Sequence, residues 1–230
     1  MPDNQKILSI HQPNFLPWLG YFNKIRKSDI FIILDNVQIP RGKSVANRNK
    51  IKSPQGEHEL VVPLSKPKGH DGKVTYNMAQ IADHKWSKKA LKAIKMNYSK
   101  AEFFEKYYPF LENLFAQKDF AKMNIDFIKY VVSELNINTT LKLLSNLNDN
   151  LGNKNELIVN LCWHFNAKVY LSGKGAKKYN DPNYMNKNGI QLIYQEFEHP
   201  VYKQLHNDFI PYLSILDLLM NYGPKSKQFI

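Results

Sequence analysis

The chain is poor in the features that announce the commonest kinds of site. It has one cysteine, Cys162, so neither an intramolecular disulfide nor a multi-cysteine metal centre is available. Within NELIVNLCWHF that residue reads as a small core side chain. No apolar run approaches the roughly 20 residues that cross a bilayer, so no membrane span is expected. The start, MPDNQKILSIHQP, lacks a basic segment followed by a long apolar stretch. That points to a cytoplasmic protein. The patterns H-E-x-x-H, G-x-S-x-G, G-x-G-x-x-G and G-x-x-x-x-G-K-S/T are all missing. Zinc proteases, serine hydrolases of the nucleophile-elbow type, classical dinucleotide enzymes and P-loop proteins therefore lose weight. There is no internal repeat, no arginine-rich arm, no zinc-finger spacing and no aromatic-basic signature of the common RNA-binding modules. No nucleic-acid partner is expected.

What is present is an ordinary globular composition, 43% hydrophobic and 23% charged. At 230 residues the chain can bury one sizeable core, with or without a small helical insertion. The net charge is +12, which favours anionic partners. The lysines are scattered, with small clusters in KWSKKALKAIK and GKGAKK.

The hydrophobic pattern alternates between strand and helix. KILSI (6–10) reads as a first strand, and LGYFNKIRKSD as a helix with Pro17 suited to its first turn. IFIILD (30–35) has the continuous apolar run of a buried parallel strand. ELVVPLS (59–65) is a third strand candidate. The turn signal Ser-Pro-Gln-Gly before it suggests a hairpin over 47–63. Residues 84–136 change to three amphipathic helices. TTLKLLSNL, AKVYLSG and GIQLIYQEF then return to strand, separated by a helix with Asn153 at its start. SILDLLMNYG closes the pattern as a helix with Gly223 just past its end. The expected fold is α/β, a mostly parallel, Rossmann-like three-layer sheet with a helical insertion. In domain terms, residues 1–83 and 137–230 form two parts of one α/β body, and 84–136 the helical insertion.

Ligands of open α/β sheets sit outside the carboxyl ends of the strands. The first strand here ends at His11-Gln12-Pro13, the second at Asp35-Asn36-Val37-Gln38, and the fifth at Ser172-Gly173-Lys174-Gly175. His11 has the side chain best suited to proton transfer near neutral pH, or it packs as a structural histidine. Asp35 orients His11, grips a sugar hydroxyl, or caps the next turn. Gln12 can donate and accept hydrogen bonds to a sugar or base, and Pro13 fixes the chain's exit angle. Asn47, Arg48 and Asn49 form a dense polar triplet, in which Arg48 contacts a phosphate or carboxylate or lies in solvent. The Ser172–Gly175 turn, with Lys174 in it, is either an anion cradle of exposed backbone N–H groups or a plain surface turn. No metal ligand set is present, and no cofactor is named by these residues.

HQPNFLPWLGYFNKIRKSDIFIILDNVQ, NRNKIKSPQGEHELVVPL, YLSGKGAKKYND and SILDLLMNYG occur in this order over nearly the whole chain. Together they resemble the WbqC-like protein family of bacteria. The resemblance implies a cytoplasmic protein encoded among genes for O-antigen and other surface-polysaccharide synthesis, with glycine (aminoacyl) transfer to amino sugars as its activity. A looser similarity at fold level is to the HIGH-motif nucleotidyltransferases. Their H-x-G-H motif would fall on Trp18, Leu19, Gly20 and Tyr21, where only the glycine remains.

Three functions follow as expectations. The first is an acyl or glycyl transferase acting on a nucleotide-linked amino sugar with an activated acyl donor. His11 and Asp35 are then catalytic, and Gln12, Trp18, Gln38, Asn47, Arg48, Asn49 and Ser172 to Gly175 bind substrate. The second is a nucleotidyltransferase-like activating enzyme. The third is a non-catalytic module that binds glycan or nucleic acid through its basic surface. The oligomeric state is not set by any of these residues.

Overall fold

The structure is a computed structural model, which describes residues 5–40, 44–65, 74–83, 85–147, 150–206 and 208–230. In chain order the elements are β1 (Ile7–His11), α1 (Leu19–Arg26), β2 (Ile30–Ile33), β3 (Arg48–Ser53), β4 (Gly56–Val61), β5 (Leu64–Ser65) and β6 (Gln80–Ile81). There follow α2 (Lys85–Tyr98), α3 (Phe104–Phe115), α4 (Phe120–Glu134), β7 (Thr140–Leu143), α5 (Lys154–His164), β8 (Val169–Ser172), α6 (Pro182–Lys187), β9 (Gln191–Tyr194) and α7 (Ile215–Tyr222). The chain divides into two compact units. The first is Met1–His11, Gly20–Leu34 and Ile137–Glu198; the second is Gln12–Leu19, Asp35–Asn136 and His199–Ile230.

The first unit is a five-stranded parallel sheet in the order β7-β2-β1-β8-β9. Counted in sequence among the sheet strands this is 3-2-1-4-5, the Rossmann-like arrangement expected. β2 is buried at all four positions, which is why its sequence is an unbroken apolar run. From β1 the chain runs one way to β2 and β7, then crosses to β8 and β9 on the other side. Right-handed crossovers place α1 on one face of the sheet and α5 and α6 on the other, giving three layers. α5 packs against β8 and α6, and Cys162 of α5 is fully buried, as expected. Asn153 stands at the N-cap of α5, but its side chain makes no capping hydrogen bond.

The second unit contains the antiparallel β3–β4 hairpin, the short β5–β6 ladder and helices α2, α3, α4 and α7. The Ser-Pro-Gln-Gly turn closes the hairpin, with Gly56 at φ +111° where a side chain would be strained. The candidate third strand over 59–65 is split: Pro63, which lacks an N–H, separates β4 from β5. Neither half joins the five-stranded sheet. The expected helical stretch is α2 to α4; His84 at its start lies outside the described residues. Asp119 caps α4 by accepting from the Lys122 N–H at 2.8 Å. Gly223 ends α7 at φ +54°, and a Cβ there would lie 2.4 Å from the Phe103 ring. The core of this unit is aromatic: Phe15, Trp86 and Phe115 meet at 5.0–6.0 Å between centroids.

Candidate functional site

Strand order reverses between β1 and β8, and at such a switch point the two chains part and leave a crevice at their carboxyl ends. The pairing of β1 with β8 runs Ile7↔Val169 and Leu8↔Tyr170. Counting three residues further brings His11 level with Gly173. The first and fifth strand ends singled out in the sequence therefore share one edge of the first unit's sheet.

Side-chain direction separates the members of this edge. Residues 7, 9 and 11 of β1 project toward α1, as the 2.7 Å contact of the Ser9 and Ser28 hydroxyls requires. The His11 ring accordingly packs edge-on against Tyr21 of α1, with centroids 4.8 Å apart. Neighbours in parallel register share a face, so Ser172 points the other way. It is fully buried, and its Oγ accepts from Asn180 Nδ2 at 2.9 Å. Asn180 also reaches Tyr194 Oη at 3.5 Å, which ties the turn after β8 to both β8 and β9. Ser172 thus anchors the turn, while Gly173, Lys174 and Gly175 present it. An added Cβ at Gly173 or Gly175 would meet nothing within 4 Å. Lys174 and Gly175 are exposed and Gly173 is half-buried.

The remaining candidates lie in the second unit. The Gln12 carbonyl accepts from the Asn14 N–H at 3.0 Å. Asp35 is buried, and its carbonyl accepts from the Asn77 N–H at 2.8 Å. Gln38 is exposed and bridges to Thr75. Trp18 bridges to Ser214, stacks on His199 at 6.3 Å and leans on Tyr212 at 5.6 Å. Asn47 and Asn49 each donate to backbone. Asn47 Nδ2 donates to the Val62 carbonyl at 2.9 Å, and Asn49 Nδ2 to the Leu16 carbonyl at 2.5 Å. The second of these holds Leu16 in a left-handed conformation, φ +40°. Arg48 pairs with Glu59 at 3.2 Å and lines a cavity of about 430 Å³ with Lys50, Glu57 and Tyr212.

Two groups were missed in the sequence. Lys24 of α1 is only 4% exposed; its Nζ donates to the Ile10 carbonyl at 2.9 Å and lies 5.7 Å from the Phe31 ring centroid. Burial lowers its pKa to about 7. Asp217 is fully buried and accepts from Tyr98 Oη at 2.7 Å and Tyr202 Oη at 2.8 Å. Among the described residues no group of histidine, cysteine, aspartate and glutamate is placed to hold a metal ion. No helix there is long and apolar enough to cross a membrane.

Residues 12–229 match the model of the WbqC-like protein family, and the chain belongs to that family. It is 30% identical over 230 residues to the uncharacterized protein Rv1507c of Mycobacterium tuberculosis, covering 98% of this chain and 97% of the relative. No solved structure matches the chain.

Proposed function

We propose that the protein is an enzyme of bacterial surface-polysaccharide synthesis that transfers a glycyl or other acyl group to the amine of a nucleotide-linked amino sugar. The observation that carries this reading is the juxtaposition at the β1–β8 switch point. A proton-transfer group, His11, stands level with a glycine turn whose backbone is open to a ligand. In the reaction the sugar nitrogen attacks the acyl carbonyl carbon, the C–N bond forms, and the bond to the donor's leaving group breaks. His11 accepts a proton from the nitrogen and returns it to the departing group. Backbone N–H groups of the Gly173–Gly175 turn meet the diphosphate or the developing oxyanion. The family resemblance supplies the substrate class, and the excess of positive charge, +12, suits an anionic one.

The test is incubation of purified protein with a panel of nucleotide-linked amino sugars and activated acyl donors, read by mass spectrometry. One sugar gains the mass of the acyl group. His11→Gln lowers that rate by ~10²–10⁴-fold, with a smaller change in KM and a melting temperature near wild type. Release of pyrophosphate from a nucleoside triphosphate would instead favour an activating enzyme. Binding without turnover would favour a carrier or recognition module.

A further inference from the structure

An amino sugar carries its nitrogen as an ammonium group at neutral pH, and forming an amide removes two protons from it. One leaves with the donor's departing group by way of His11. The other needs a second acceptor, and the first unit holds one. We infer that Lys24 is that acceptor, taking the first proton from the ammonium before the nitrogen attacks. This rests on the acyl-transfer reading above.

The placement of the amine is the main support. The carbonyls of Ile7 and His11 accept from the Asp29 and Leu34 N–H groups, on the β2 side of β1. Carbonyl direction alternates along a strand, so the Ile10 carbonyl faces β8. The β1–β8 pairing covers only Ile7 and Leu8, so Ile10 lies where the strands have parted. Lys24 Nζ donates to that carbonyl. The amine therefore sits on the β8 side of β1, against the residue that precedes His11. Tyr21, which packs on the His11 ring, is three residues from Lys24 on α1 and on the same side of the helix.

The amine is also poorly suited to a purely structural role. None of the ion pairs among the described residues includes Lys24. A buried ammonium group without a carboxylate is costly, and burial brings this one to about 7. At neutral pH it is thus able to take up a proton and to release it afterwards to solvent. A methionine in its place would cover Phe31 as well without that cost, giving up only the hydrogen bond to the Ile10 carbonyl.

Two measurements on the purified protein test the inference. The first uses formaldehyde with cyanoborohydride at pH 7 and follows methylation of each lysine by peptide mass spectrometry. Only neutral amines react, and exposed lysines are almost wholly protonated at that pH. Lys24 is expected to react at least ~10-fold faster than the exposed lysines, and a nucleotide-diphosphate amino sugar is expected to slow it. A Lys24 that stays unmodified, or reacts no faster than the rest, overturns the inference whether or not transfer activity is found. The second compares Lys24→Met and Lys24→Arg with wild type in the transfer reaction. Both are expected to lose ~10²-fold in kcat with KM little changed, and Lys24→Met to melt no lower than wild type. Wild-type turnover in Lys24→Met would remove Lys24 while leaving acyl transfer itself standing. Absence of transfer in wild type would remove the reading, and with it Lys24 as its proton acceptor, even if the amine proves reactive.

Discussion

Lys24 and Asp217 are both ionisable side chains withdrawn from water, and their surroundings divide their roles. Asp217 receives two tyrosine hydroxyls, and Tyr98 Oη in turn accepts from the Lys52 N–H at 2.8 Å. Lys24 has one backbone carbonyl and an aromatic face. A fully partnered carboxylate holds an interior together, whereas a sparsely partnered amine is available for chemistry. Tyr98→Phe strips one hydroxyl from this network and should lower stability by about 1–3 kcal/mol in urea unfolding. Burial raises the Asp217 carboxyl above its usual range, against the lowering effect of the two tyrosine hydrogen bonds and of Lys52. The folded state therefore keeps this proton over a window in which the unfolded chain has released it. The resulting stability is fully present below about pH 4 and is lost as pH rises through the folded-state value. Asp217→Asn, which cannot ionise, should gain on wild type as pH rises above about 4 and through the folded-state value of Asp217. A stability difference that does not change with pH would contradict this assignment.

Among the elements, strands and helices that alternate locally were legible, and so was the hairpin, because Ser-Pro-Gln-Gly marks its turn. The common edge of β1 and β8 followed from their apolar runs and the general rule for α/β sheets. What could not be read were partners. A sequence does not show that the Asn47 and Asn49 amides donate to the Val62 and Leu16 carbonyls. Lys24 was hidden too. Between Asn23 and Ile25 it reads as part of a polar helix face, yet α1 is buried from Leu19 to Ile25. The turn after β8 gives the sharpest test at this scale. Neither Gly173 nor Gly175 has a positive φ, and a Cβ on either meets nothing within 4 Å. Gly173→Ala and Gly175→Ala should therefore fold with unchanged or slightly raised stability, by up to about 1 kcal/mol. If the turn cradles the ligand, the same substitutions should weaken nucleotide-sugar binding by ~10-fold or more in calorimetry. Unaltered affinity in both variants would exclude the turn from the site.

For the molecule as a whole, the charge of +12 is spread over the chain rather than gathered in a recognition motif, which agrees with attraction of a small anion. The family match, over residues 12–229, takes in residues of both units. The central claim is that the β1–β8 switch point of the first unit is where substrate binds. Hydrogen exchange, followed by mass spectrometry with and without a saturating nucleotide-diphosphate amino sugar, tests it most directly. Slower exchange is expected over residues 173–178 and at the end of β1, residues 8–11. Protection confined to the cavity lined by Arg48 and Tyr212, with the 173–178 turn unchanged, would contradict the account.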